Sequence, residues 1–328
     1  MPETNLEAKI ATSQDQVEKA VDNVNHLFEV EFLPGFEERV GYFPILEHLP
    51  GRPVLARFSY GLNAGNMSAK FFDSNRGESE VTNERNRREF LQQQGFPDYP
   101  NVLQVVGKFE GLEPQVEEVN LDTLKDKTKA VGNIIFTRQP GFTVDIIPAD
   151  CPTGGLSCED GKNYPIAGIM HGGADSLNAG LVRQGLWVLR DEYGVDLSKA
   201  VLAISPGVLA KNYFITNEPE RRGSGIIERN WGPYITKKVT DDSLERRHVD
   251  LTSAFVMQAL QAGILPEHIQ TYAGVNTYED AQGGRAYSRR YTGEHDGARP
   301  GGQLLAVTLN PNFVGKRPSL YPNLANAA

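Results

Sequence analysis

ADCPTGGLSCEDGKNYPIAGIMHGG, residues 149–173, is the stretch on which the reading of this chain turns. It opens on Asp150-Cys151-Pro152 and passes through a segment rich in turn formers. It then runs into YPIAGIM, residues 164–170, a short apolar run of the buried-strand type that ends in His171-Gly172-Gly173. HGGAD is a tight connection, with Asp175 or Ser176 placed to cap a helix that runs to about Tyr193. The chain has only two cysteines and six histidines. A cysteine and a histidine on either side of one strand unit leave three readings open. They are a metal pair, a nucleophile with its base, or a buried thiol and a histidine held by a backbone carbonyl with no chemistry at all.

Outward from that unit the periodicity supplies alternating elements. Ser13 to Phe28 reads as an amphipathic helix, with Ser13 and Gln16 as a capping box and Val17, Ala20, Val21, Val24, Leu27 and Phe28 as one apolar stripe. RPVLARFSYGL (52–62), NVLQVVGKF (101–109), VGNIIFT (131–137) and FTVDIIPAD (142–150) read as strands, the last two joined by the turn signal RQPG. VTNERNRREFLQQQG (81–95) reads as a helix stopped by Gly95. KAVLAIS (199–205) is another buried strand, DLTSAFVMQALQAG (250–263) a helix, and HIQTYAG and QLLAVTLN late strands. Leu251, Phe255, Met257, Leu260 and Ile264 are its core candidates. Irregular alternation without a repeat or a clean linker predicts one layered α/β (α+β) domain of mixed sheets with flanking helices, not a doubly wound parallel sheet. The expected division is an N-terminal helical extension over 1–48, a catalytic domain over 49–312 and a tail over 313–328.

Composition narrows the function classes. The 328 residues are 39% hydrophobic and 23% charged, with no run of 18 apolar residues for a membrane span and no apolar segment near the N-terminus to act as a secretory signal. A soluble cytoplasmic protein, monomer or homodimer, is expected. A net charge of −9 argues against sequence-independent binding to nucleic acid, which depends on neutralising phosphates. The basic clusters NERNRREF and RAYSRRY read first as solvated faces. Phosphate-binding P-loops, dinucleotide fingerprints, His-Glu-x-x-His, Gly-x-Ser-x-Gly and paired Cys-x-x-Cys knuckles are all missing. Six histidines with no His-x-His pair also exclude a multicopper centre, which needs roughly ten imidazoles.

The remaining motifs carry a family resemblance over roughly residues 50–310. ADC followed by an apolar strand ending in His-Gly-Gly resembles the Ala-Asp-Cys … His-Ala-Gly-Trp core of the laccase-domain family, whose members are often labelled multicopper polyphenol oxidases. Arg57 falls at a strand-end arginine of that family. ESEVTNERNRREFLQQQG is similar to its Glu-x-Val-x-x-Asn-Arg helix through Val81, Asn86 and Arg87, and LQVVG to its Gln-Val-His-Gly. ISPGVLAKNYFI resembles its Gly-Pro … Tyr-Glu-Val segment through Pro206 and Tyr213. VNTYEDAQGGRAYSRR with GARPGGQLLAVTL resembles its Cys-Thr … Ser-Tyr-Arg-Arg … Gly-Arg ending.

The resemblance implies a zinc-dependent purine nucleoside phosphorylase and adenosine deaminase acting on a small-molecule substrate and phosphate. Cys151 and His171 are the implied zinc ligands and, with Arg57, the catalytic residues. Gln104, Gly172, Gly173, Tyr213, Arg289, Arg290 and Arg299 are the implied substrate and phosphate contacts. The chain departs from the pattern at the third ligand, where Val106 stands in Gln104-Val105-Val106-Gly107. Valine donates nothing to a metal, and catalytic zinc takes three protein ligands with one open position. His48, His26 or Asp150 would then have to complete the set. Without zinc, Cys151 and His171 read as a Cys–His hydrolase pair on the same fold, or the chain as an inactive binding protein. The Gly172-Gly173 step into a helix is a candidate phosphate or ribose contact, and Phe58, Tyr60, Tyr213 and Tyr287 are candidates to stack on a purine.

Overall fold

The centre of the molecule is the segment that reads as turns. Thr153–Glu159 (β8), TGGLSCE, is a seven-residue strand lying antiparallel to Pro165–His171 (β9), with Thr153 opposite His171 and Glu159 opposite Pro165. The turn falls later, where Asp160 Oδ1 accepts the backbone N–H groups of Lys162 and Tyr164 at 2.8 Å and Asn163 takes a left-handed φ of 62°. Thr-Gly-Gly resembles a loop only because it lacks side chains. A Cβ on Gly154 would meet the Phe255 ring of a covering helix at 3.1 Å, and one on Gly155 would meet Val307 Cγ2 of the other sheet at 3.3 Å. The strand is pressed between layers on both faces, and glycine is what lets the layers close.

Residues 17–22, 40–47, 49, 53–60, 66–68, 79–97, 102–106, 113–126, 129–217, 225–236, 246–272, 275–283, 287–294 and 301–310 are described by a computed structural model. Two six-stranded mixed sheets organise them. Sheet A contains Val40–Tyr42 (β1), Val54–Ser59 (β2), Val102–Val106 (β3), Lys129–Val131 (β5), Thr143–Ile146 (β7) and Leu305–Leu309 (β14), in the order β1-β2-β14-β7-β3-β5. Sheet B adds Val116–Glu118 (β4), Ile134–Thr137 (β6), Val201–Ile204 (β10) and Ile269–Gln270 (β13) to β8 and β9, in the order β13-β10-β8-β9-β6-β4. Phe214–Thr216 (β11) and Arg246–His248 (β12) form a separate antiparallel ribbon. RQPG does not close a hairpin. It carries the chain from β6 in sheet B to β7 in sheet A, with Gly141 at φ 74° donating its N–H to Leu309 O at 2.9 Å.

The sheets stack face to face. Ala56, Phe58, Val144, Ile146, Leu305 and Val307 of sheet A meet Ile135, Ala167, Ile169, Val201 and Ala203 of sheet B in one buried cluster. On the outer face of sheet B lie three helices, Ala174–Ala179 (α4), Leu181–Tyr193 (α5) and Leu251–Ala262 (α6). Leu177, Leu186, Leu189 and Phe255 of those helices pack on Leu156, Met170 and Leu202. On the outer face of sheet A, Phe90 and Leu91 of Glu80–Gln93 (α2) cover Ala306, with Leu55 packed against the same cluster. The result is helix, sheet, sheet, helix. The layered α/β architecture of mixed sheets with flanking helices is therefore present, and each buried aliphatic side chain stabilises it by about 1.5–3 kcal/mol.

Several local expectations hold and two do not. Helix α2 ends at Gly95 with φ 77°, and Ser79 Oγ caps its start by accepting Thr82 N–H at 3.1 Å. Asp250 caps α6, of whose core candidates Leu260 alone is only partly buried. The helix after His171, by contrast, is two helices broken at Gly180, φ 74°. Its N-cap is Gly173, and neither Asp175 nor Ser176 caps it, because both already lie inside its first turn. Ser176 is instead fully buried and accepts from Asn133 Nδ2 at 3.3 Å. Of the helix expected over Ser13–Phe28, residues 17–22 are helical, with Val17 and Val21 buried in the cluster outside sheet B. Its remainder and the tail over 313–328 lie outside the described residues. Residues 40–47 give the sandwich strand β1 and the core side chains Phe43 and Leu46. Among the described residues no helix is long and apolar enough to cross a membrane.

Candidate functional site

Cys151 and His171 come to the same end of sheet B because β8 starts where β9 finishes. Thr153 faces His171 in register, and Gly172 N–H donates to Pro152 O at 2.9 Å, so Cys151 stands beside the His-Gly-Gly step. The Ala174 N–H reaches the Cys151 sulfur. The two glycines make that approach possible. A Cβ on Gly172 would strike the Phe255 ring at 2.4 Å, and one on Gly173 would sit 2.5 Å from the His171 ring. Both glycines are thus explained by crowding, and the N–H at the start of α4 goes to sulfur.

Electrostatics keep the pair neutral. Burial pushes the Cys151 thiol up to about 12, aided by the negative charges of Asp150 and Asp175 and opposed by Arg289 and the Ala174 N–H. Burial holds the His171 imidazole down at about 4, with Asp175 opposing. A thiolate–imidazolium pair is therefore not preformed. His171 Nδ1 is buried and has no hydrogen-bond partner. Such an orphan costs about 1–3 kcal/mol and calls for a reason.

Asp150 is the knot of the site. Its Oδ1 accepts the Thr277 hydroxyl at 2.9 Å and its Oδ2 the Arg290 N–H at 2.8 Å. The Ser288 hydroxyl and the Arg289 N–H bond it too, and burial still raises its pKa against these four donors. The carboxylate thereby fastens the starts of Thr277–Gln282 (α7) and Arg289–Glu294 (α8) to the strand end next to Cys151. Both oxygens being engaged, Asp150 is not a spare metal ligand. Thr277 and Ser288 were not named as site residues from the sequence, although both stand in the stretches that resemble the family's Cys-Thr and Ser-Tyr-Arg-Arg motifs.

The other expected residues separate. Arg289 is exposed and within electrostatic reach of Cys151. Arg290 lies over Phe214 at 3.9 Å and Tyr213 at 5.2 Å, and donates to Phe214 O at 3.2 Å. Arg57 lies on β2, on the outer side of sheet A. Its neighbours Ala56 and Phe58 point between the sheets, so it faces α2, and its Nη1 donates to Ala56 O at 2.7 Å. Gln104 lies inside β3, in register with Asp145 of β7. The aromatic candidates Phe58, Tyr60 and Tyr287 are core residues. Phe58 packs on Phe43 and Tyr272, with centroids 5.2 and 5.3 Å away, and all three candidates are buried. Tyr60 donates to Asp280. A crevice lined by Tyr60, Ser205, Thr277 and Gln303 has room for about one water. Arg299, His26 and His48 lie outside the described residues.

Residues 60–307 match the family model for multi-copper polyphenol oxidoreductase laccase. The chain belongs to that family. Solved structures similar to this chain share its fold. The hypothetical protein YfiH of Bacillus licheniformis superposes with a TM-score of 0.59 at 16% identity, covering 78% of this chain and 93% of that one. YlmD of Geobacillus stearothermophilus gives 0.58 at 16% identity, covering 82% and 94%. No curated protein matches the chain.

Among the described residues neither copper nor zinc finds a full set of donors. Among the described residues no three His, Cys, Asp or Glu side chains converge as a ligand set. Strand β3 runs parallel to β7, which brings its last residue, Val106, to the end where the chain leaves β7 for Cys151. That position holds an apolar residue, so Cys151 and His171 remain two donors where catalytic zinc takes three.

Proposed function

We propose that this laccase-family chain is a small-molecule enzyme acting on a purine nucleoside or a close relative, with its reaction centre at Cys151 and His171. The observation that carries the reading is the Nδ1 of His171, buried and without a hydrogen-bond partner at the strand end where the half-buried Cys151 stands. At the strand end that the family motifs share, a ring nitrogen without a partner is available to a substrate proton.

In phosphorolysis a phosphate oxygen attacks the ribose C1′ as the C1′–N9 bond breaks, and the proton released by phosphate ends on the purine nitrogen. Arg289 supplies positive charge for the phosphate. His171, uncharged at neutral pH, offers one nitrogen to take that proton and passes it on. Cys151 keeps its proton and gives the leaving base a donor. Hydrolytic deamination at C6 of adenosine is the companion reaction that the family resemblance implies. No step needs a metal.

The test is chromatography of adenosine, inosine and guanosine incubated with the protein, with and without phosphate. Phosphate-dependent release of base is expected, unaffected by chelator and reduced at least about 100-fold in Cys151→Ala. Full turnover by Cys151→Ala would place the chemistry elsewhere. The missing donor at Val106 favours a second reading, a catalytically silent member that binds its ligand. Tight nucleoside binding with no turnover under any condition would establish it in place of the first.

A further inference from the structure

The helical layer over sheet B carries positive charge that the reaction centre does not use. Arg183 stands half-buried in the first turn of α5, its guanidinium 5.5 Å from the Trp187 ring. Its Nη1 donates to Gln261 Oε1 at 2.6 Å and its Nη2 to Asn230 Oδ1 at 3.0 Å. Both partners are neutral amides. They fix the direction of the fork and leave its charge unanswered. The charged group within reach is Arg229, exposed on the turn Glu228–Asn230, and it has the same sign. Burial, with that repulsion added, weakens the hold of Arg183 on its proton.

The start of α5 sharpens the imbalance. A Cβ on Gly180 would lie 3.2 Å from Arg183 Nη2, so the guanidinium lies against the residue that opens the helix. The first turn holds no acidic residue and no side-chain cap. A helix dipole favours an anion at this end and disfavours a cation. The acids nearest in sequence are committed elsewhere, Glu228 to Arg247, and Asp191 to Arg190 at 2.6 Å. Among the described residues neither Arg183 nor Arg229 has a carboxylate partner. This happens in a protein of net charge −9, where carboxylates outnumber bases.

We propose that Arg183 and Arg229 form an oxyanion site for a phosphate group, separate from the centre at Cys151 and His171. One dianion answers both guanidiniums, and the arginine fork matches its oxygens. The phosphate has two sources, the free inorganic ion or the ester of a small organic molecule. None of these residues belongs to the proposed reaction centre, so the site stands apart from the nucleoside reading.

Trp187 can report on it. The second tryptophan, Trp231, is fully buried and bonded to Asn178. The test is a fluorescence titration of the full chain with inorganic phosphate and with glycerol phosphate, chloride being exchanged to hold ionic strength constant. A saturable change is expected, weakened at least about tenfold in Arg229→Ala. Arg229→Glu gives Arg183 the missing carboxylate. It should abolish the response and raise the thermal midpoint in the absence of phosphate. Arg289→Ala, at the reaction centre, should bind as wild type does. Glycerol phosphate as tight as phosphate would identify an ester as the ligand, and a response to phosphate alone the free ion. Equal affinity of Arg229→Ala and wild type would overturn the site, as would a wild-type protein that responds to neither anion. A response lost in Arg289→Ala and kept in Arg229→Ala would assign the anion to the reaction centre instead. Absence of nucleoside turnover would fell the enzymatic reading and leave this one standing.

Discussion

The outer faces of the two sheets are covered by helices in opposite styles. Over sheet B, α4, α5 and α6 press leucines, Phe255 and Met257 onto Leu156, Met170 and Leu202 in an apolar contact. Over sheet A, apolar contact is confined to one part of α2, Phe90 and Leu91. Its remaining buried face carries Asn83 and Arg87, and beneath it β7 turns Thr143 and Asp145 outward, since Phe142, Val144 and Ile146 fill the space between the sheets. Asp145 is wholly buried, its Oδ1 has no partner, and burial lifts its pKa to about 7 against the pull of Arg87. Asn83 Oδ1 and Thr143 Oγ1 are orphans too. One helical layer stabilises by area removed from water. The other removes less apolar area and covers a buried carboxyl, while unpaired polar atoms occur on both sides, Arg183 Nε, Trp187 Nε1 and Gln258 Oε1 among those of the helices over sheet B.

The largest test of this contrast lies on the apolar side. Phe255→Ala should cost about 3–5 kcal/mol in urea unfolding, the price of a large cavity in a closed layer. A cost below about 1 kcal/mol would mean that the helices over sheet B are not its main support.

Asp145→Asn should act in the opposite direction. A carboxyl whose folded pKa is raised binds its proton more tightly in the native state, so the contribution of Asp145 to stability is greatest in acid and declines as pH rises from about 4 to about 7. Above that it levels off. Asp145→Asn should remove this decline and gain on the order of 1–3 kcal/mol at pH 8, read as a higher urea midpoint. A wild-type midpoint that rises between pH 5 and 8 while the variant's stays flat would show that Asp145 is ionised and paired.

The smallest effect belongs to Thr143→Val. It keeps the shape and removes an orphaned hydroxyl, and should leave stability unchanged or raise it by up to about 1 kcal/mol. A loss of more than that would reveal a partner for the hydroxyl, such as a buried water, and would narrow the difference between the two sides.

Much of the architecture was legible along the chain. Buried strands such as YPIAGIM and KAVLAIS announce themselves by unbroken apolar runs, and α6 by its Asp250 cap and Gly263 stop. The family could be read from ordered motifs, since Cys151 and His171 keep their places in them. Strand β8 was illegible for a physical reason. Its glycines are read locally as flexibility, whereas their use is close approach from both faces, a property of Phe255 and Val307 far away in sequence.

The sequence by itself determined the residue types of the site, the apolar valine where a third donor would be, and the alternation that makes layered mixed sheets. Only the tertiary structure decided which of them meet. It turned Arg57 toward α2 and left Arg289 near Cys151, because strand parity and sheet assignment select the face a side chain uses. It spent both oxygens of Asp150 on Thr277 and Arg290, contacts 127 and 140 residues away. Hydrogen-bond capacity is fixed by residue type, but its use is allotted in space, by whichever donors the folded chain brings within 3 Å or so.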